Sequence, residues 1–281
     1  MATLRWGPPE EEQPKKQTTR EQLEIDTSRL SAHEIFESAA DLGRKELERS
    51  PKALAVSGLA GGLTMGLTGM AVAIAQVTLG PGRWQDFVSY LVYPVGFIAV
   101  IIGRAQLFTE NTLYPVVLIL SERGHILRTL RLWGVVFLTN SIGAALFAAL
   151  VEFTSALRSD FARQLAELGT HAANQTFPRI FWTAVIGGWL IALVAWLVTA
   201  SHWTVGQIAV VWLLTFVVGV GQFAHCIATS GEIFAAVFTA AIPLGSYLRW
   251  IVSATAGNII GGIMIVSLLN YGQVKAGETQ H

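Results

Sequence analysis

Apolar residues run along this chain in long blocks separated by short polar segments. Four blocks, at about 53–79, 132–151, 180–200 and 248–269, reach the roughly 20 residues that a helix needs to cross a bilayer. Two more, 87–120 and 205–243, are as apolar at their ends but polar in the middle. The first carries VGFIAVIIGRAQLFTENTLYPVVLI over 95–119, with Arg104, Gln106, Thr109, Glu110, Asn111 and Thr112 at its centre. The second carries VVGVGQFAHCIATSGEIFAAV over 217–237, with Gln222, His225, Thr229, Ser230 and Glu232. A continuous helix over 87–120 would be on the order of 50 Å long, well beyond the roughly 30 Å hydrocarbon core, and two full spans need about 40 residues. A helix broken near 106–112 resolves the mismatch, because non-helical backbone is tolerated at depth where it faces protein or a water-lined cavity. Block 205–243 could also form a hairpin of two half-spans. The broken helix is preferred because block 87–120 is too short to divide that way.

The pattern therefore predicts an all-α integral membrane fold. It has six transmembrane elements arranged as two inverted three-helix repeats, with the second and fifth helices broken. Residues 1–27 read as a disordered polar tail and 28–52 as an amphipathic helix at the interface. The channel domain is 53–271, and 272–281 form a C-terminal tail. Gly58, Gly61, Gly62, Gly66 and Gly69 mark the first span, and Gly257, Gly261 and Gly262 the sixth, as close-packed helices. A polar connection over 152–179 is expected to hold a short surface helix. The segment 122–131, with Arg123, Arg128 and Arg131, is expected to be a cytoplasmic loop.

Composition narrows the class. The chain has 281 residues, and 52% hydrophobic against 14% charged lies outside the range of soluble domains. Zero formal charge gives no field for nucleic acid. The single cysteine, Cys226, excludes an internal disulfide and a cysteine-based metal site. The first twenty residues, MATLRWGPPEEEQPKKQTTR, have no apolar core and do not read as a cleaved signal. Six elements put both termini on one side, and Arg44, Lys45, Arg49, Lys52, Arg123, Arg128, Arg131 and Lys275 favour the cytoplasm for it, while Arg83, Arg158, Arg163, Arg179 and Arg249 count against it.

The chemistry gathers at the two breaks. Broken helices carry unpaired backbone groups and partial charge into the membrane, and two such breaks facing one path can favour a small anion through their N–H ends. Water-filled structural kinks are the plainer alternative. Leu107, Phe108 and Phe223 beside the breaks are candidate apolar gates, against ordinary helix packing. His225 is the histidine at membrane depth and can donate a hydrogen bond or a proton; a neutral ring bonded to a carbonyl or to Thr229 is the structural alternative. Thr109 can turn its hydroxyl to the same path. Arg104, Glu110 and Glu232 read first as a mutual ion pair supporting the loops or as charges snorkelling to a vestibule, ahead of direct contact with a solute. No metal and no cofactor is expected.

Leu107-Phe108-Thr109 followed by Asn111, and Phe223-Ala224-His225 leading through Ala228, resemble the two break motifs of the formate/nitrite transporter family; Asn140, Asn258, Gly261 and Gly262 are similar to its pattern too. The resemblance covers about 36–271. It implies an aquaporin-like protomer with its own pore, assembled as a homopentamer in the bacterial cytoplasmic membrane, passing small monovalent anions such as formate, nitrite or hydrosulfide. Constrictions at Leu107 and Phe108 on one side and Phe223 on the other, with Thr109 and His225 at the centre, are likewise implied. The chain departs from the family pattern at Gln106 and Ala224, where acidic residues are usual, and at Thr229, where Asn is usual. A lysine is also missing near 172–175.

The expected function is a channel or transporter for a small weak-acid anion, either passive or proton-linked through the central histidine. A neutral-solute channel of aquaporin type lacks its paired Asn-Pro-Ala signature here. A non-transporting membrane scaffold, its amphipathic helix recruiting a partner, is the other alternative. No nucleophile with a base, phosphate loop or metal cluster points to an enzyme.

Overall fold

The structure, a computed structural model, describes residues 30–122 and 124–278. The expected tail over 1–27, residues 28–29 of the amphipathic element, Arg123 and residues 279–281 lie outside the described residues. From Ser31 onward the chain forms one unit, helical throughout its regular elements.

Helix α1 (Ala32–Glu48) opens with a capping box: Ser31 Oγ accepts the Glu34 N–H, and Glu34 Oε2 accepts the Ser31 N–H at 2.7 Å. Phe36, Ala39, Ala40, Gly43 and Leu47 are its buried face. Ser50 and Pro51 stop any continuation and start α2 (Pro51–Leu79), since proline suits the first helical turn and not the interior. Helices α3 (Gln85–Tyr90) and α4 (Val95–Ile102) follow. After an irregular stretch with one 3₁₀ turn at Glu110–Thr112 comes α5 (Tyr114–Glu122). Then come α6 (Ile126–Phe153), α7 (Ser159–Ala173), α8 (Phe177–Ala200), α9 (Thr204–Val220), α10 (Ala228–Phe238) and α11 (Leu244–Ile260). A π-helical segment, Gly261–Ser267, leads from α11 into α12 (Leu268–Glu278).

Among the described residues, five helical stretches are long and apolar enough to cross a membrane: Pro51–Leu79, Gln85–Ile102, Ile126–Phe153, Phe177–Ala200 and Leu244–Ala276. Leu138, Ile142, Leu146 and Leu150 form an exposed apolar stripe on α6 at four-residue spacing, a surface suited to lipid or to another subunit. The expected loop over 122–131 is much shorter, because α6 begins at Ile126 and takes Arg128 and Arg131 into its first turns. Arg131 Nη2 donates to Leu47 O at 2.7 Å, satisfying a carbonyl that the end of α1 leaves open.

Both breaks are made in the same way. Helix α4 ends where the Ala105 N–H reaches Val100 O and the Arg104 N–H reaches Ile101 O. Helix α9 ends where the Phe223 N–H reaches Val218 O and the Gln222 N–H reaches Gly219 O. Such a stop requires one left-handed residue, here Arg104 (φ 58°) and Gln222 (φ 50°), at a cost of about 1–2 kcal/mol for a side chain with a Cβ. One buried asparagine then carries each loop. Asn140 Nδ2 donates to Gly58 O (2.7 Å) and Gln106 O (2.9 Å), while its Oδ1 accepts the Phe108 N–H (2.9 Å). Asn258 repeats the set with Ala184 O (2.7 Å), Ala224 O (2.9 Å) and the Cys226 N–H (2.8 Å). In both halves the loop partners lie 34 and 32 residues before the asparagine. Gly62 and Gly188 let the asparagine backbones approach so closely that any Cβ there would strike them.

Asn140→Ala and Asn258→Ala each strand an N–H and leave two carbonyls short of a donor, costing on the order of 2–4 kcal/mol. Thermal unfolding in detergent should fall by several degrees in each variant, and by similar amounts if the two halves are built alike. At the surface, Arg44 of α1 pairs with Glu122 of α5, and this pairing, then the His125 contact, holds the Glu122 carboxyl below the usual carboxylate range. A lowered pKa contributes docking above the ordinary carboxylate pKa and loses it as pH falls through that range. Protection factors for hydrogen exchange over 32–48, taken relative to the intrinsic rate at each pH, should therefore fall on acidification, and Glu122→Gln should show the lower protection already at neutral pH.

Candidate functional site

The side chain chemistry at the two breaks meets at one point. Thr109 Oγ1 and His225 Nε2 lie 2.7 Å apart, both fully buried. His225 Nδ1 is already committed, accepting the backbone N–H of Ala228 at 3.0 Å and of Ile227 at 3.3 Å. A ring nitrogen that accepts carries no hydrogen, so the imidazole proton sits on Nε2 and is donated to Thr109. The threonine hydroxyl hydrogen is then left to turn toward a solute. Phe97, also fully buried, sets its ring edge against the imidazole at 5.0 Å and 83°.

Two cavities approach this pair. The wider, about 290 Å³, is lined on its inner part by Gln222, Phe223, Ala224, Thr229 and Glu232. The smaller, about 50 Å³, is lined by Arg104, Gln106, Glu110 and Asn111 together with Leu42 and Glu46 of α1. His225 follows Ala224 of one wall and Thr109 precedes Glu110 of the other, so their contact joins the two linings through buried side chains.

The remaining sequence candidates divide. Phe223 lines the wider cavity. Leu107 is fully buried and lines neither. Phe108 packs onto Trp133 and Phe137 of α6, at 6.0 and 5.1 Å between ring centroids, and lines neither cavity. Asn111 braces the first loop through Nδ2 to Gln106 Oε1 (2.8 Å) and Leu107 O (3.2 Å). Thr229 faces the wider cavity, and the histidine takes the Ala228 and Ile227 N–H groups instead of the Thr229 hydroxyl. The expected mutual ion pair of Arg104, Glu110 and Glu232 does not form: Arg104 and Glu110 line one cavity and Glu232 the other. Among the described residues no ion pair joins any two of them. Two interruptions of apolar sequence do not tell which vestibule each charge will enter.

Other residues at the site gave no sequence signal. Phe97 is an apolar residue in an apolar helix. Glu46 looks like the polar side of an amphipathic helix, yet its Oε2 accepts Gln106 Nε2 at 2.9 Å and pairs with Arg49 at 3.1 Å. The carboxylate missing at Gln106 is thus supplied by α1. Near the missing lysine, His171, Gln175 and Arg179 line the wider cavity. No cluster of three or more potential metal ligands occurs among the described residues.

Paired helix breaks, each beside a cavity, are the arrangement in which transport proteins place their sites. The profile described as "Formate/nitrite transporter" matches residues 33–272, and the chain belongs to that family. It is 33% identical over 258 residues to the inner membrane protein YfdC of Escherichia coli, covering 90% of this chain and 83% of the relative. It is 27% identical over 262 residues to a probable formate transporter of Methanothermobacter thermautotrophicus, covering 83% and 96%. Among solved structures, one described as an FNT family ion channel matches with a TM-score of 0.75 at 16% identity, covering 86% of this chain and 98% of the other. A pentameric formate channel with formate bound matches at 0.69 and 18%, covering 81% and 100%. At those identities the two structures establish the shared fold.

Thr109→Val strands the Nε2–H in a buried site and should cost about 1–3 kcal/mol, whereas Thr109→Ser keeps the acceptor. Melting temperatures in detergent should separate the two variants in that order.

Proposed function

We propose that this chain is a path for a small monovalent weak-acid anion such as formate or nitrite. It is built as six transmembrane elements in two inverted three-helix repeats with the second and fifth helices broken, in the manner of an aquaporin protomer. The recurring asparagine braces favour the two-repeat reading, since the same side chain supports equivalent loop atoms in each half. Residues 53–271 form the channel domain, and 28–52 lie along the interface on the side of the two termini, the cytoplasmic side of a bacterial inner membrane. Five protomers assemble around an axis, each with its own pore; the pentameric formate channel of the same fold and the exposed stripe on α6 support this.

The carrying observation is the His225–Thr109 pair at the buried junction between two cavities. An anion loses its water there, and the threonine hydroxyl, oriented by the Nε2–H that it accepts, is the donor that can replace it. Phe223 on one side and Leu107 on the other exclude water. The tautomer set by the Ala228 and Ile227 N–H groups gives His225 the role of hydrogen-bond donor, so of the two roles open to it we assign that one. Arg104 at the smaller cavity draws the anion in, while Asn111 and Thr229 shape the approaches.

Uptake of labelled formate into proteoliposomes, with and without an inward proton gradient, tests the reading. Saturable uptake above empty vesicles is expected. His225→Asn, which removes the Nε2–H that orients the threonine hydroxyl, should lower it by about tenfold or more, the worth of one hydrogen bond to a charged group. Osmotic swelling by neutral solutes with no formate uptake would replace the anion path by a neutral one.

A further inference from the structure

The wider cavity is electrostatically wrong for an anion. Asp86, Glu167 and Glu232 line it against Arg179 and His171, and no lysine compensates. Asp86 Oδ1 accepts Gln76 Nε2 at 3.2 Å, but the Glu232 carboxyl has no hydrogen bond and no ion pair among the described residues. Its carboxylate lies close against α2: a Cβ added at Gly69 would lie 2.5 Å from Glu232 Cγ and 2.8 Å from Oε1, so a larger residue there would displace the Glu232 side chain. Thr229 and Glu232 stand three residues apart on α10, on one face, and both open to the same cavity as Phe223. The titratable and charged groups facing that cavity from the surrounding elements are Asp86 and Tyr90 of α3, Tyr93 before α4, Glu167 and His171 of α7, and Arg179 of α8.

The centre of the path holds no spare proton. His225 has one ring hydrogen, on Nε2, and a second could be taken only at Nδ1, where two backbone N–H groups already point. If a weak-acid anion is to cross the buried junction as its neutral acid, the proton must be added before it arrives.

We infer that Glu232 is the group that protonates the solute in the wider vestibule. The Glu232 carboxylic acid, charged from vestibule water, gives its O–H proton to the solute carboxylate. The products are the Glu232 carboxylate and a neutral acid, and the carboxylate regains a proton from water. The repulsion between Glu232 and the anion is relieved while the proton is on Glu232, and the neutral acid meets the Thr109 hydroxyl that His225 orients. This inference rests on the path being one for weak-acid anions.

The test is labelled formate uptake by the full chain in proteoliposomes between about pH 5 and about pH 8, a window around the ordinary carboxylate and imidazole range. The wild type, Glu232→Gln, Glu232→Asp and His225→Asn are compared. Wild-type uptake should rise as pH falls. Glu232→Gln should lose gradient-driven uptake by about tenfold or more, together with its pH dependence. Glu232→Asp, which keeps a displaced carboxyl, should retain part of both. His225→Asn should lower uptake at every pH while keeping the shape of the profile. Wild-type rate and profile in Glu232→Gln, or faster uptake from a carboxylate that only repelled the anion, overturns the inference and leaves the anion path standing. No uptake by the wild type overturns the path and the inference together. Should Glu232→Gln fail to assemble on size exclusion, the infrared carbonyl band of a protonated carboxyl in the wild type, shifted in Glu232→Asp, supports the inference; an identical band in the two overturns it.

Discussion

The whole arrangement depends on keeping unpaired backbone satisfied inside a membrane. A helix that stops at mid-depth exposes carbonyls and N–H groups that lipid cannot hydrogen-bond, each costing several kcal/mol. Here two buried asparagine side chains, each with two donors and one acceptor in use, supply what water would supply elsewhere. Close helix contacts at Gly62 and Gly188 bring those amides within reach. The polar site is therefore a product of packing: without tight crossings of α2 with α6 and of α8 with α11, the loops carrying Thr109 and His225 would have nothing to hang from.

Charge is arranged around that scaffold by vestibule. The smaller cavity receives Arg104 and Glu110 from the first break and a carboxylate, Glu46, from α1; the wider receives Glu232 from the second break and further carboxylates from α3 and α7. The centre itself is a neutral donor pair. On the proposed anion path, separating charge at the mouths from hydrogen bonding at the waist would let a solute shed water in stages, since desolvation of an ion costs least where its charge has first been reduced.

Much of this was legible in the sequence, and for a physical reason. Polar residues such as Gln106, Asn111, Gln222 and His225 inside apolar blocks are improbable unless backbone leaves the helix there, so the two breaks announced themselves. Thr109 and His225 could be singled out because a hydroxyl and an imidazole at depth need partners. Boundaries were less legible: Arg128 and Arg131 look like loop residues, although Arg131 sits in a helix to reach the carbonyl end of another. The ion pair expected for Arg104, Glu110 and Glu232 failed because sequence separation carries no information on which side of a constriction a residue falls. Phe97 was invisible, since an apolar residue that touches an imidazole reads the same as one that touches leucine. The place of Phe108 beside Thr109 likewise gave no sign that its ring packs onto Trp133 and Phe137.

The two N–H groups received by His225 Nδ1 belong to the entry of α10, so the imidazole serves as that half-helix's cap as well as lining the passage. One ring thus does two jobs, through Nδ1 and Nε2. Placing a positive charge on the ring would turn an acceptor into a donor at a helix start and push the half-helix away from its own first residue. Folding therefore acts as the guardian of electrical neutrality at the waist, and an acidified compartment on either side would change what arrives at the filter long before it changed the filter.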